Sequence, residues 1–118
     1  MIENISLILQ VHEGLSRQAA HKRSRDALKA LDLSDLSALR YDVCSEKEIF
    51  FVQLIRAHMQ KDAKIIIDQP FAFLAEEMDL EFILTALDRL MISYEDVLII
   101  DLTGQKSHYK ETACHIEE

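Results

Sequence analysis

The positions Ile2, Ile5, Ile8, His12, Leu15 and Ala19, followed by Ala27, Leu28 and Leu31, recur at spacings of three and four, the period of an α-helix. Gly14 costs up to about 1 kcal/mol relative to alanine inside a helix, and His21 to Asp26 carries no apolar residue. The stretch from Ile2 to Leu33 therefore divides into two helices. Ser34-Asp35 caps a short helical turn running to about Tyr41. Ser45-Glu46-Lys47-Glu48 is a capping box, in which the Ser45 hydroxyl and the Glu48 carboxylate each accept from an otherwise unpaired amide. It predicts a helix with Phe51, Val52, Ile55 and Met59 on its apolar face, ending near Lys61-Asp62.

From Lys64 the pattern changes. Ile65-Ile66-Ile67 is a β-branched run bounded by Lys64 and by Asp68-Gln69-Pro70, and it reads as a short buried strand. Leu74, Met78, Phe82, Ile83, Ala86, Leu87 and Leu90 return to helical spacing, with Asp79 a cap for a fresh start. Val97-Leu98-Ile99-Ile100 is a second buried strand, ended by Asp101 and Thr103-Gly104. Strand, helix and strand make a βαβ unit with a right-handed crossover. The expected fold is α/β and helix-rich: a helical subdomain over about residues 1–62, then a βαβ part with a small parallel sheet over about 63–104. The tail, 105–118, reads equally as helix or strand.

With 118 residues, 49% of them hydrophobic and only 2 Gly and 1 Pro, the composition suits a single compact domain over 1–118 and excludes disordered, collagen-like and turn-rich all-β chains. The net charge of -8 disfavours nucleic acid and anionic membrane surfaces as partners. Two cysteines, Cys44 and Cys114, make no disulfide framework. The apolar stretch Ile5 to Leu9 lacks the flanks of a signal peptide, and the longest apolar stretches fall far short of the roughly 20 residues that span a bilayer. The expectation is a cytoplasmic protein with no membrane insertion.

Three of these segments together resemble the second half of an ATP-binding cassette ATPase, with ungapped spacing over about residues 1 to 101. Cys44-Ser45-Glu46-Lys47-Glu48 stands where that family has its Leu-Ser-Gly-Gly-Glu signature, Ile55-Arg56-Ala57 where it has an Ala-Arg-Ala run, and Ile65 to Pro70 where it has the Walker B strand ending in Asp-Glu-Pro. Ala27 to Leu33 is similar to the stretch before the signature, and Glu3-Asn4-Ile5 to the start of the helical subdomain. The flavour is nearest the phospholipid-trafficking branch. What the resemblance implies for catalysis is loss. The 118 residues contain no Gly-rich loop ending in Lys-Ser or Lys-Thr to hold phosphates. Glu46 and Lys47 replace the signature's glycines, Gln69 replaces the Walker B glutamate and cannot accept a proton, and Ala75 and Leu102 stand at the positions of the later aspartate and the switch histidine. Ser45, Glu48, Asp68 and Gln69 are then relics of a nucleotide site, with no catalytic residue and no cofactor.

Other candidate chemistry is thin. Asp68 and Asp101 read first as strand-end turn residues, and a lone Asp68 is a poor magnesium ligand. The five histidines, His12, His21, His58, His108 and His115, show no metal-ligand spacing, and Cys114 and His115 are adjacent. Cys44 precedes a helix N-terminus, where thiolate is favoured, yet has no identifiable base. Charge is the stronger signal. Arg17, Lys22, Arg23, Arg25 and Lys29 against Asp26 give residues 17–29 a charge of +4, whereas residues 65–103, with Glu76, Glu77, Asp79 and Glu81 among nine acids, carry -8.

The expected function is a non-catalytic cassette-like protein acting by protein contact, an accessory or regulatory component of an ABC transporter of the lipid-moving kind, with its permease or ATPase subunit as the expected partner. The implied docking region is about Ile2 to Arg25, with Ile5, Arg17, Lys22 and Arg23 as contacts. Because two short strands do not make a stable sheet alone, a homo-oligomer is also expected. Three alternatives stand beside it: an acidic inhibitor or immunity-type protein that masks a basic partner with Glu76, Glu77, Asp79 and Glu81; a residual enzyme built on Asp68; and a truncated cassette without a role of its own.

Overall fold

A computed structural model describes residues 2–35, 41–60, 62–74 and 78–109. The chain forms two compact units, Met1–Ala63 and Lys64–Glu118. The first is helical and the second carries a small parallel sheet, so the chain is α/β and helix-rich.

In the first unit α1 (Ile2–His12) packs on α2 (Arg17–Ala30), and both meet α3 (Glu46–His58). Ile5, Leu9, Leu28, Val52 and Ile55 have no exposed surface and form its core. Two buried serines lie among them. Ser24 Oγ donates to the Ala20 carbonyl at 2.8 Å and Ser6 Oγ to the Glu3 carbonyl at 3.4 Å, so each hydroxyl is satisfied within its own helix. Ala20 and Ala27 are buried with them. The helix break falls at Gly14, whose φ of 66° is left-handed, and Ser16 then caps α2 by accepting from the Ala19 amide at 3.2 Å. The polar stretch from His21 to Asp26 breaks nothing. It lies inside α2, where only Ser24 is buried, because a helix packed along one stripe needs few apolar residues per turn. Ser34 and Asp35 form a short 3-10 turn, and the rest of the expected turn, 36–40, lies outside the described residues.

The capping box is formed as expected: Glu48 N–H donates to Ser45 Oγ at 3.2 Å and Ser45 N–H to Glu48 Oε1 at 2.8 Å. Ser45→Ala is expected to cost about 1 kcal/mol of stability, read as a lower urea midpoint with an unchanged denaturant slope.

In the second unit β1 (Ile65–Asp68) leads into a single helical turn, α4 (Pro70–Phe73), then α5 (Leu80–Arg89) and β2 (Val97–Ile100). The strands pair in parallel, with Ile65 opposite Val97 and Asp68 opposite Ile100. The helical spacing after Pro70 does not give one helix. Leu74 is extended (ψ 156°), and Asp79 opens α5 by accepting from the Phe82 amide at 3.4 Å. A 3-10 turn, Thr103–Tyr109, occupies the first part of the tail, and 110–118 lie outside the described residues.

Two further features were not contained in the sequence reading. The strands are not buried on both faces: Ile65 and Ile67 are buried, whereas Ile66, Leu98 and Ile100 are 64%, 57% and 48% exposed. The run of isoleucines concealed an ordinary two-sided alternation. The second feature is the way α2 and α5 end. At α2 the Leu33 amide donates to Leu28 O (2.8 Å) and the Asp32 amide to Lys29 O (3.0 Å); at α5 the Ile92 amide donates to Leu87 O (2.9 Å) and the Met91 amide to Asp88 O (3.0 Å). Both are Schellman stops, with Asp32 (φ 63°) and Met91 (φ 59°) where glycine is usual. Met91→Gly, at a position 89% exposed, is expected to raise the thermal midpoint by the equivalent of roughly 0.5–1 kcal/mol, since it relieves a left-handed Cβ clash.

Candidate functional site

The residues that the cassette resemblance places in one nucleotide site fall in different units. Ser45 and Glu48 belong to the first and are engaged with each other's backbone, so their polar atoms serve the start of α3. Asp68 and Gln69 belong to the second, at the carboxyl end of β1, where open parallel sheets commonly bind ligands. Gln69 has φ 51°, makes no side-chain cap to α4, and donates its amide to the Ile100 carbonyl at 2.6 Å, so its backbone is used to extend the ladder.

Asp68 and Asp101 do not form a carboxylate pair. Asp68 is in register with Ile100 on the exposed face, and Asp101 follows one residue later, where alternation turns it to the other side. There Asp101 is a half-buried hub. Its Oδ2 accepts from the Tyr109 hydroxyl at 2.6 Å and the Phe71 amide at 3.4 Å, and its Oδ1 from the Leu102 amide at 2.8 Å. The Phe71 and Tyr109 rings meet edge to face with centroids 5.2 Å apart. This carboxylate accepts from three local donors and ties α4 to the tail's 3-10 turn, which is a structural task. Sequence spacing gives no sign of it, because Tyr109 lies in the tail, whose pattern reads equally as helix or strand.

The implied contact residues separate into surface and core. Ile5 has no exposed surface, so it is not a contact residue. It sits on the inward stripe of α1, while Leu7 and Val11, 55% and 66% exposed and one turn apart, form the outward stripe. Arg17 is exposed and pairs with Glu3 at 3.2 Å, linking the start of α2 to α1. Lys22 pairs with Asp26 at 3.3 Å along α2. Arg23 and Arg25 are exposed. Among the acids, Glu81 is exposed in the first turn of α5, and Asp79 is its exposed cap. Glu76 and Glu77 lie outside the described residues, as does Ala75.

Burial raises the Cys44 thiol above its ordinary value, and the Glu48 and Asp42 carboxylates add to the shift. The helix N-terminus therefore does not make it a ready thiolate. Among the described residues no three His, Cys, Asp or Glu side chains gather to hold a metal ion, and no helix is long and apolar enough to cross a membrane. In the helical unit, burial and then the Arg23 charge push His58 below its ordinary 6.5. His21 Nε2 and Arg56 Nε are buried without a hydrogen-bond partner among the described residues.

The His58 shift has a sign that can be measured. A histidine whose folded pKa is depressed binds its proton more readily in the unfolded chain, so its stabilising contribution is complete above pH 6.5 and is lost as the pH falls through 6.5 toward the folded value. Urea midpoints between about pH 5 and 7 are expected to fall less steeply on acidification in His58→Gln than in the parent. Equal slopes would remove His58 from the acid response.

No protein-family model matches the chain, and no curated protein matches it.

Proposed function

We propose that the protein acts by contact with another protein rather than by catalysis, as a degenerate relative of the ATP-binding cassette ATPases. In this reading its helical unit is an accessory docking surface for the permease of an ABC transporter, one that moves lipid. The observation that carries the reading is the outward stripe of α1, Leu7 and Val11, in the same unit as the exposed cations Arg23 and Arg25 of α2. An apolar pair in a unit that also presents exposed cations suits an amphipathic segment with acidic flanks, since like charges would be repelled and the apolar pair desolvated. The local use of Ser45 and Glu48 in a helix cap, and of Gln69 in the strand ladder, supports a role without nucleotide turnover.

The test is a photo-reactive residue placed at Leu7, with the cross-linked partner identified by mass spectrometry. A permease subunit is expected, and Arg23→Glu should reduce its yield about threefold or more. A soluble partner, or a yield insensitive to both Val11→Asp and Arg23→Glu, would overturn the reading. Calorimetry with Mg-ATP is expected to show no binding. Micromolar affinity would restore a nucleotide site to the chain.

A further inference from the structure

The outward face of the β1–β2 sheet has a definite order. At its N-terminal end the Lys64 ammonium and Asp96 carboxylate pair at 2.7 Å. Next, Ile66 and Leu98 stand side by side in register, and beyond them Asp68 stands beside Ile100. Lys64 compensates Asp96, but Asp68 has no ion-pair partner among the described residues. The face is thus an apolar strip with one uncompensated carboxylate at the carboxyl end of the strands.

Parallel sheets are ordinarily covered on both faces, and one βαβ unit supplies one crossover helix, enough for one face. We propose that the open face receives a basic amphipathic helix from a different protein. Two strands about 4.8 Å apart make a strip that a single helix about 10 Å across can cover. Ile66 and Asp68, two residues apart on one strand, are separated by roughly 6.6 Å, close to the roughly 5.4 Å pitch of a helix. A helix with apolar residues over Ile66 and Leu98 therefore brings its next turn to Asp68, and a lysine or arginine there completes the contact.

Charge selects this occupant over a second copy of the chain. Residues 65–103 carry -8, and Asp79, Glu81, Asp88 and Glu95 are all exposed. Two such units brought together would add like net charge, whereas a cationic helix gains from the same field. This surface lies on the second unit, so the proposal does not depend on the reading of α1 and α2.

The test uses a labelled helical Leu/Lys peptide and a Leu/Glu peptide of the same apolar pattern, titrated into the full chain, with the isoleucine methyl groups followed by NMR. The expected result is preferential binding of the Leu/Lys peptide with shifts at Ile66 and Ile100. Leu98→Asn should weaken it about tenfold. Asp68→Lys, an exposed change that leaves the apolar strip intact, should weaken the Leu/Lys peptide and strengthen the Leu/Glu peptide, each about threefold. Circular dichroism checks that both variants keep the parent fold. Equal affinity for the two peptides, or affinity unchanged in both variants, overturns the proposal. Sedimentation showing a dimer that Leu98→Asn disperses overturns it in favour of a second copy.

Discussion

Leu28→Ala is expected to lower the stability of the helical unit by roughly 2–5 kcal/mol. Leu28 has no exposed surface, and the same is true of Ile5, Leu9, Val52 and Ile55 around which α1, α2 and α3 are assembled. Truncation removes the transfer energy of the lost methyl groups and leaves a cavity that rigid helices close only in part. The position is doubly constrained, because the Leu28 carbonyl accepts the Leu31 and Leu33 amides at the α2 stop and so cannot shift inward to fill the gap. With native stabilities of about 5–15 kcal/mol, such a loss is a large share of the whole. Urea denaturation followed by circular dichroism checks it, with Lys29→Ala, one residue on and exposed, expected to change stability by less than about 0.5 kcal/mol. A loss below about 1 kcal/mol in Leu28→Ala would mean that the α1–α2–α3 core tolerates a void there.

The parts of this fold written in local chemistry were legible in the sequence. The Ser45 capping box, the Asp79 cap, the isoleucine strand and the Val97–Ile100 strand depend on residues within four positions of each other, and each formed where the pattern put it. What stayed hidden depends on tertiary placement or on exceptions to residue preference. With two glycines in the chain, the left-handed stops at Asp32 and Met91 had no glycine to announce them. Ile66 and Leu98 are as apolar as Ile65 and Ile67, so hydrophobicity alone could not show that one side of the sheet is open. Ile5 illustrates the converse: its residue type said core, and only its membership of an expected docking region said surface.

The same distinction governs the candidate sites. Spacing grouped Ser45, Glu48, Asp68 and Gln69 because a related architecture would bring them together, yet each side chain or backbone amide has a task inside its own unit or stands on a different surface. Contact chemistry needs only exposed apolar area with a charge of definite sign. The chain presents exposed apolar side chains in both units, Leu7 and Val11 in the first and Ile66, Leu98 and Ile100 in the second, where Asp68 stands in register with Ile100.

Asp101→Ala is expected to destabilise the sheet-containing unit by roughly 1–3 kcal/mol, because it strips the acceptor from three donors at once. The Tyr109 hydroxyl, at 2.6 Å, makes the shortest of these bonds, and the Phe71 and Leu102 amides follow at 3.4 and 2.8 Å. Phe71 is buried, so its amide has little access to water as a substitute. Tyr109→Phe keeps the edge-to-face contact with Phe71 and removes only the hydroxyl, and should cost about 1 kcal/mol. If the two side chains act through their shared bond, the double variant will lose less than the sum of the single losses, with a coupling of about 0.5–3 kcal/mol. Thermal melts of the four proteins measure that coupling, and hydrogen exchange at Phe71 and Leu102 should quicken in Asp101→Ala but not at the Ile66 and Leu98 amides. Additive losses would mean that Asp101 caps its own loop and leaves the tail to hold itself, whereas coupled losses make this one carboxylate the tether that holds Thr103–Tyr109 beside α4.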